Sequence, residues 1–129
     1  MNTTTKQTVA VVGASADRAK YSNKSVRAHL QEGWDVYPVN PKGGQIEGLR
    51  GWASLAEIPV RPDRVTLYLP PAAGIKLLPQ IARAKPGEFF VNPGAESEEL
   101  VAEAKRLGLD PLLPCSIAAL GFTPAQLER

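Results

Sequence analysis

Apolar residues in this chain gather in short unbroken runs instead of alternating with polar ones. VAVV (9–12), VYPV (36–39), VTLYL (65–69) and FFV (89–91) each have the length and β-branched or aromatic content of a strand. A strand that is apolar at every position is one covered on both faces, as in a parallel sheet. PLL (111–113) is a weaker fifth strand. Between these runs the spacing changes to three or four residues, which marks helices. Ser22 is placed to cap a first helix with Val26, Leu30 and Trp34 on one side, and Gly33 to end it. A second helix is predicted over 73–84, with Ile75, Leu78, Ile81 and Ala82 inward. Pro79 lies within it, so the helix is kinked there or starts later. Ser97 caps a further helix with Glu98 and Glu99 in its first turn, where the dipole favours acids. Leu100, Val101, Ala104 and Leu107 form its apolar stripe, and Gly108 closes it. A short helix is expected at Leu55–Glu57.

Strands that alternate with helices pair in parallel through crossovers. The expectation is an α/β fold: one doubly wound, mainly parallel, five-stranded Rossmann-like sheet with helices on both faces. Residues 1–129 form a single domain with a core at about 7–121, and neither a linker nor an internal repeat interrupts it. At 43% hydrophobic residues the chain can bury a core. No run is long enough to span a membrane, and MNTTTKQ lacks the apolar centre of a secretion signal. A cytoplasmic protein is expected. Net charge is only +2, which argues against a nucleic-acid or membrane-surface binder. The first 50 residues are nonetheless basic: Lys6, Arg18, Lys20, Lys24, Arg27, Lys42 and Arg50 stand against Asp17, Glu32, Asp35 and Glu47. That balance suits a small anionic ligand.

Ligands of such sheets bind beyond the carboxyl ends of the strands, so the segments after each strand carry the argument. After the first strand, Gly13, Ala14 and Ser15 form a turn in which backbone amides and a hydroxyl can hold phosphate oxygens, next to a helix N-terminus. GASADR is neither G-x-G-x-x-G nor a Walker loop. Arg18, Lys20 and Lys24 crowd that helix N-terminus, where cations are unfavourable unless an anion lies between them. After the second strand, an NAD site would place an acid to accept from the ribose hydroxyls. Val39, Asn40, Pro41 and Lys42 stand there instead, and a lysine suits a phosphate on the ribose, as in NADP or coenzyme A. After the third strand, Leu69, Pro70 and Pro71 offer an apolar wall with few amide donors. After the fourth, Asn92, Pro93 and Gly94 make another turn toward the same crevice.

No catalytic residue emerges. His29 falls mid-helix and reads as a surface or packed histidine, and no nucleophile elbow or carboxylate pair is present. One cysteine, Cys115, and one histidine leave no internal disulfide and no metal site. Cys115 reads as a small packed residue, with a thiol facing the crevice as the alternative.

Taken in order, VAVVGAS, KYSNKS, VYPVNPKGGQIEGLRGWASLAEIP, VTLYLPP, FFVNPGAES and LGLDPLLPCSIAALG resemble the CoA-binding domain family. These are small Rossmann-like proteins related to the nucleotide-binding domain of the succinyl-CoA synthetase alpha subunit. The resemblance runs from about residue 8 to 121. It implies coenzyme A or an acyl-CoA as ligand. Gly13, Ala14 and Ser15 would meet the diphosphate, and Asn40, Pro41 and Lys42 the adenosine 3′-phosphate end. Leu69, Pro70 and Pro71 would lie along the adenine or pantetheine, and Asn92, Pro93 and Gly94 would close the site. The ligase relatives carry a second domain with a phosphorylated histidine and an ATP-grasp partner, neither of which is encoded here. The implied role is therefore a ligand-binding or regulatory module, with or without a protein partner or a second copy. Should the CoA thiol reach the end of the fifth strand, an external oxidant would join it to Cys115 in a mixed disulfide. The rival readings are an NADP-linked reductase using the same Lys42, and an interaction protein without ligand that makes contacts through Trp52 and GFTPAQLER.

Overall fold

The computed structural model of the chain describes residues 6–113 and 116–121. Five strands form one parallel sheet: β1 (Thr8–Val12), β2 (Asp35–Val39), β5 (Arg64–Leu67), β6 (Glu88–Val91) and β7 (Pro111–Leu112), in the spatial order β2-β1-β5-β6-β7. A two-stranded antiparallel hairpin, β3 (Gln45–Ile46) and β4 (Leu49–Arg50), stands apart from the sheet. The helices are α1 (Tyr21–Gln31), a 3-10 turn at Leu55–Glu57, α2 (Pro71–Ala84), α3 (Glu98–Arg106) and α4 (Ser116–Ala119).

The unbroken apolar runs have their expected cause. β5 is buried at all four positions and β1 at all but its first. Successive side chains point to opposite faces, so one strand feeds two cores. Ala10, Val12, Val65 and Leu67 pack beneath α2 and α3 against Leu78, Ile81, Leu100 and Ala104. Val9 and Val11 pack on the other face against Val26 of α1 and Trp34. β2 is an edge strand, which is why it tolerates Pro38: Asp35 donates its amide to Gln7 on the β1 side, so the alternating register turns position 38 outward. Trp52 covers that edge, with Trp52 N–H donating to Pro38 O and Asn40 N–H to Trp52 O, both at 2.8 Å.

Several local expectations need correction. Ser22 does not cap α1. The helix begins two residues earlier than a Ser22 cap would place it, Lys20 is its N-cap, no side chain caps it, and Ser22 is a buried residue of the first turn. Leu30 is exposed, and Trp34 lies beyond the helix end yet packs with Val26. Ser22 to His29 of α1 are all buried and mostly polar, so apolar spacing could not find its limits. α2 starts at Pro71, before the expected 73, and runs through Pro79. Pro71 has the first-turn position that needs no amide donor, and Pro79 is on the exposed side, where water can serve the carbonyl it leaves without a donor. The third strand ends at Leu67, leaving Tyr68 and Leu69 in the loop, and the fifth is two residues long. Trp52 is half-buried, 3.9 Å beneath the Arg50 guanidinium and 5.9 Å from the Tyr37 ring, so it is a packing residue and not a free contact surface. Ser97 caps α3 as expected, accepting from Leu100 N–H at 3.0 Å. Cys115 and residues 122–129 lie outside the described residues.

Candidate functional site

The strand order reverses between β1 and β5: α1 leaves β1 toward one face and α2 leaves β5 toward the other. The crevice expected at such a switch point opens here. Gly13 sits at its floor with φ of +90°. A Cβ built on it would lie 2.8 Å from the Tyr68 carbonyl oxygen and 3.1 Å from Leu69 Cδ2. The loops after β1 and β5 therefore touch, and only glycine lets them.

The next residues are held from below. Gly13 and Ala14 both donate their amides to Val39 O at 3.1 Å, so neither is available to a phosphate in this arrangement, contrary to the sequence expectation. Ser15 Oγ accepts from Asp17 N–H, and Asp17 Oδ1 from Ala19 N–H, each at 3.0 Å, which curls the loop toward α1. No acid lies in the first turn of α1 and no side chain caps it. Its positive end therefore faces the groove lined by Lys20, Tyr21 and Ser22.

Asn40 arranges the second loop. Its side chain donates to Ala14 O at 2.9 Å and accepts from Lys42 N–H at 2.8 Å, while its carbonyl accepts from Gly43 N–H. Both ends of the amide are engaged, so Asn40 ties the β1 and β2 loops together. Lys42 is left exposed, with no side-chain partner among the described residues. Arg18 is not free. Its guanidinium pairs with Glu47 at 2.5 Å, and Glu47 also accepts from Asn23 at 3.1 Å. Burial alone would raise the Glu47 carboxyl, but hydrogen bonds from Asn23 and Arg18, with the charges of Arg18 and Arg27, outweigh it and hold it below the usual carboxylate range.

Two cavities flank the Gly13–Leu69 contact and share both residues. One, of about 110 Å³, is apolar and lies between the loops after β1 and β2, the 3-10 turn and α2; Val12, Val39, Pro41, Leu55, Leu77 and Ile81 line it. The other is an open groove of about 520 Å³ over the start of α1, walled by Tyr68, Leu69 and Pro70.

Of the expected site residues, Gly13, Lys20, Ser22, Val39, Pro41, Leu69 and Pro70 line one or both cavities. Ala14, Ser15, Arg18, Asn40 and Lys42 belong to the adjoining loops, and Pro71 opens α2. Asn92 is fully buried and donates to Thr66 Oγ1 and Leu67 O, so it fastens β6 to β5; Pro93 and Gly94 are exposed and, like Asn92, line neither cavity. Sequence reasoning missed Leu77 and Gln80, which line the apolar cavity with Ile81 at helical spacing, and Ala53–Leu55. It also missed the hairpin that carries Glu47; the available signal was the EG dipeptide between two short apolar-polar pairs. His29 is remote from the crevice. It is completely buried, its Nδ1 is 2.8 Å from Ser25 O, and its Nε2 is 3.2 Å from the Arg64 guanidinium. Among the described residues no cluster of His, Cys, Asp and Glu could hold a metal, and no helix is long and apolar enough to cross a membrane.

Residues 7–121 match the family model described as CoA binding domain. The chain is 30% identical to the alpha subunit of ADP-forming acetate–CoA ligase I from Pyrococcus furiosus over 95% of its own length, and it spans 30% of that subunit. A conserved hypothetical protein from the same organism superposes with a TM-score of 0.78 at 31% identity, covering 89% of this chain and 99% of its own. A dinucleotide-forming acetyl-coenzyme A synthetase from Ca. Korarchaeum cryptofilum gives 0.72 at 26% identity, over 84% of this chain and 26% of the synthetase. The crevice at the β1–β5 switch point, the loops that meet over Gly13 and the match over nearly the whole sequence together make this chain a member of the CoA-binding domain family.

Proposed function

We propose that the chain binds coenzyme A, free or acylated, across the two cavities that meet at Gly13 and Leu69. The observation that carries this is the division of the crevice into an apolar hole and an open groove over an uncapped helix N-terminus. An elongated ligand with a flat base, a diphosphate and an aliphatic arm has parts suited to each. The nucleotide end takes the apolar side beside Pro41, with Lys42 reaching its 3′-phosphate. The diphosphate lies at Ser15 and the start of α1, next to Lys20. The pantetheine follows Leu69 and Pro70. Because the Gly13 and Ala14 amides are already engaged, those two residues shape the floor while the positions after them meet the anion.

Calorimetric titration with CoA, 3′-dephospho-CoA and NADPH tests this. CoA binds, and loss of the 3′-phosphate weakens binding about three- to tenfold, the range of one charge-assisted contact near the surface. Lys42→Ala then binds the two CoA forms alike. Equal affinity of the unaltered protein for both removes the role of Lys42. Binding of NADPH alone, or of none of the three, overturns the CoA reading.

A further inference from the structure

Glu47 has a conformation that its residue type resists. The β3–β4 hairpin turns on two residues, Glu47 and Gly48, with φ of +51° and +79°. Positive φ at both positions is the signature of a type I′ turn, which favours Asn-Gly, Asp-Gly or Gly-Gly. A glutamate with φ in the left-handed region is strained, and such strain persists where the surroundings use it.

The side chain shows the use. Glu47 Oε1 accepts from Arg18 and Oε2 from Asn23. Asn23 is fully buried, and its amide also donates to Ser15 O at 2.9 Å. Arg27, buried beside it, donates to Asn23 Oδ1 at 2.8 Å and to Arg18 O at 2.9 Å. The carbonyls of Ser15 and Arg18, at the two ends of the curled loop, are thus fixed from beneath by Asn23 and Arg27. Glu47 supplies the carboxylate that completes this network, from a hairpin 29 residues along the chain.

We propose that Glu47 is a positioning residue for the ligand site: through Asn23 and Arg18 it holds the 15–18 loop in the shape that receives the anionic part of the ligand. It also fixes the distance between that loop and the Lys42 turn, which leads directly into the hairpin. Glu47 touches neither cavity and acts only through its neighbours. This inference rests on the CoA reading for the identity of the ligand, but its effect on the loop does not.

The decisive variant is Glu47→Asn, because asparagine suits the turn and is too short to replace the carboxylate. A residue kept only for folding gives a lower Tm when replaced. Here Tm is unchanged or higher, while CoA affinity falls on the order of tenfold, the equivalent of one lost charge-assisted hydrogen bond. Glu47→Gln, which keeps the reach, restores part of the affinity. Amide hydrogen exchange in the free protein gives a second reading that needs no ligand: exchange at residues 15–19 accelerates in Glu47→Asn and stays unchanged in β1 and β5. Undiminished CoA affinity in Glu47→Asn overturns the proposal, as does a lowered Tm with unchanged exchange in the loop. Should the unaltered protein bind no CoA, that reading fails by itself, and the exchange result alone decides the role of Glu47: faster loop exchange supports it, unchanged exchange overturns it.

Discussion

Acidification should weaken this fold through a single residue. His29 is the only histidine of the chain, so it is the one side chain whose ordinary titration lies between pH 5 and 7. Burial pushes its pKa down to about 4. The hydrogen bond with Ser25 O opposes that shift and the nearby charge of Arg64 adds to it. Its setting explains the direction. With Nδ1–H donating to Ser25 O, Nε2 is left to accept from Arg64, which stacks between Trp34 and Phe90 and pairs with Glu88. A proton on Nε2 would put two donors face to face in a buried place. The unfolded chain takes up that proton near pH 6.5 and the folded chain near 4, so between those values the unfolded state holds more protons. The stability contribution is therefore complete above pH 6.5 and is lost as pH falls toward 4. The difference in pKa corresponds to about 3 kcal/mol in full, of which about 2 kcal/mol is lost by pH 5. The Glu47 and Glu103 carboxyls, held below their ordinary range, act mostly below pH 5 and so leave the window to His29. Urea unfolding followed by tryptophan fluorescence at pH 7.5, 6 and 5 measures the loss, and the proton resonances of the single imidazole measure its pKa without a substitution. In His29→Leu, the pH dependence between 7.5 and 5 disappears while overall stability falls. A native imidazole titrating near 6.5, or unfolding energies that do not change from pH 7.5 to 5, would refute the reasoning.

Two further substitutions test the construction of the site and the fold. Gly13→Ala forces a Cβ against the Tyr68 carbonyl at positive φ; a destabilisation of about 2–3 kcal/mol in denaturant unfolding, with loss of CoA binding, is expected, and a neutral substitution contradicts the close contact of the two loops. Ser97→Ala removes the cap of α3, at a residue that lines neither cavity; it should cost about 1 kcal/mol of stability and leave ligand affinity unchanged.

The elements that were legible in the sequence are those whose cause is local. Four unbroken apolar runs read as strands because a strand covered on both faces has no polar position to alternate with, and β1, β5 and β6 bear this out. Ser97 with Glu98 and Glu99 read correctly as a helix start because a cap acts within three residues. The start of α1 was misread for the complementary reason. Ser22 had the right chemistry, but every residue from Ser22 to His29 is buried and most are polar, and Asn23, Arg27 and His29 bond to partners outside the helix. The hairpin escaped notice because two-residue strands carry almost no periodic signal.

The sequence thus determined that a parallel α/β sheet would form and which loops would gather at its carboxyl edge, since both follow from spacing and strand order. Only the tertiary structure decided how each loop residue is employed. Asn40 meets Ala14 across 26 residues, Arg18 meets Glu47 across 29, Asn92 meets Thr66 across 26 and His29 meets Arg64 across 35. Such pairings depend on which segments the sheet brings side by side, and no local pattern encodes them. A cation or amide that reads as a ligand contact in the sequence is committed or left open by its spatial neighbours, as Arg18 is by Glu47, while Lys42 remains open to solvent.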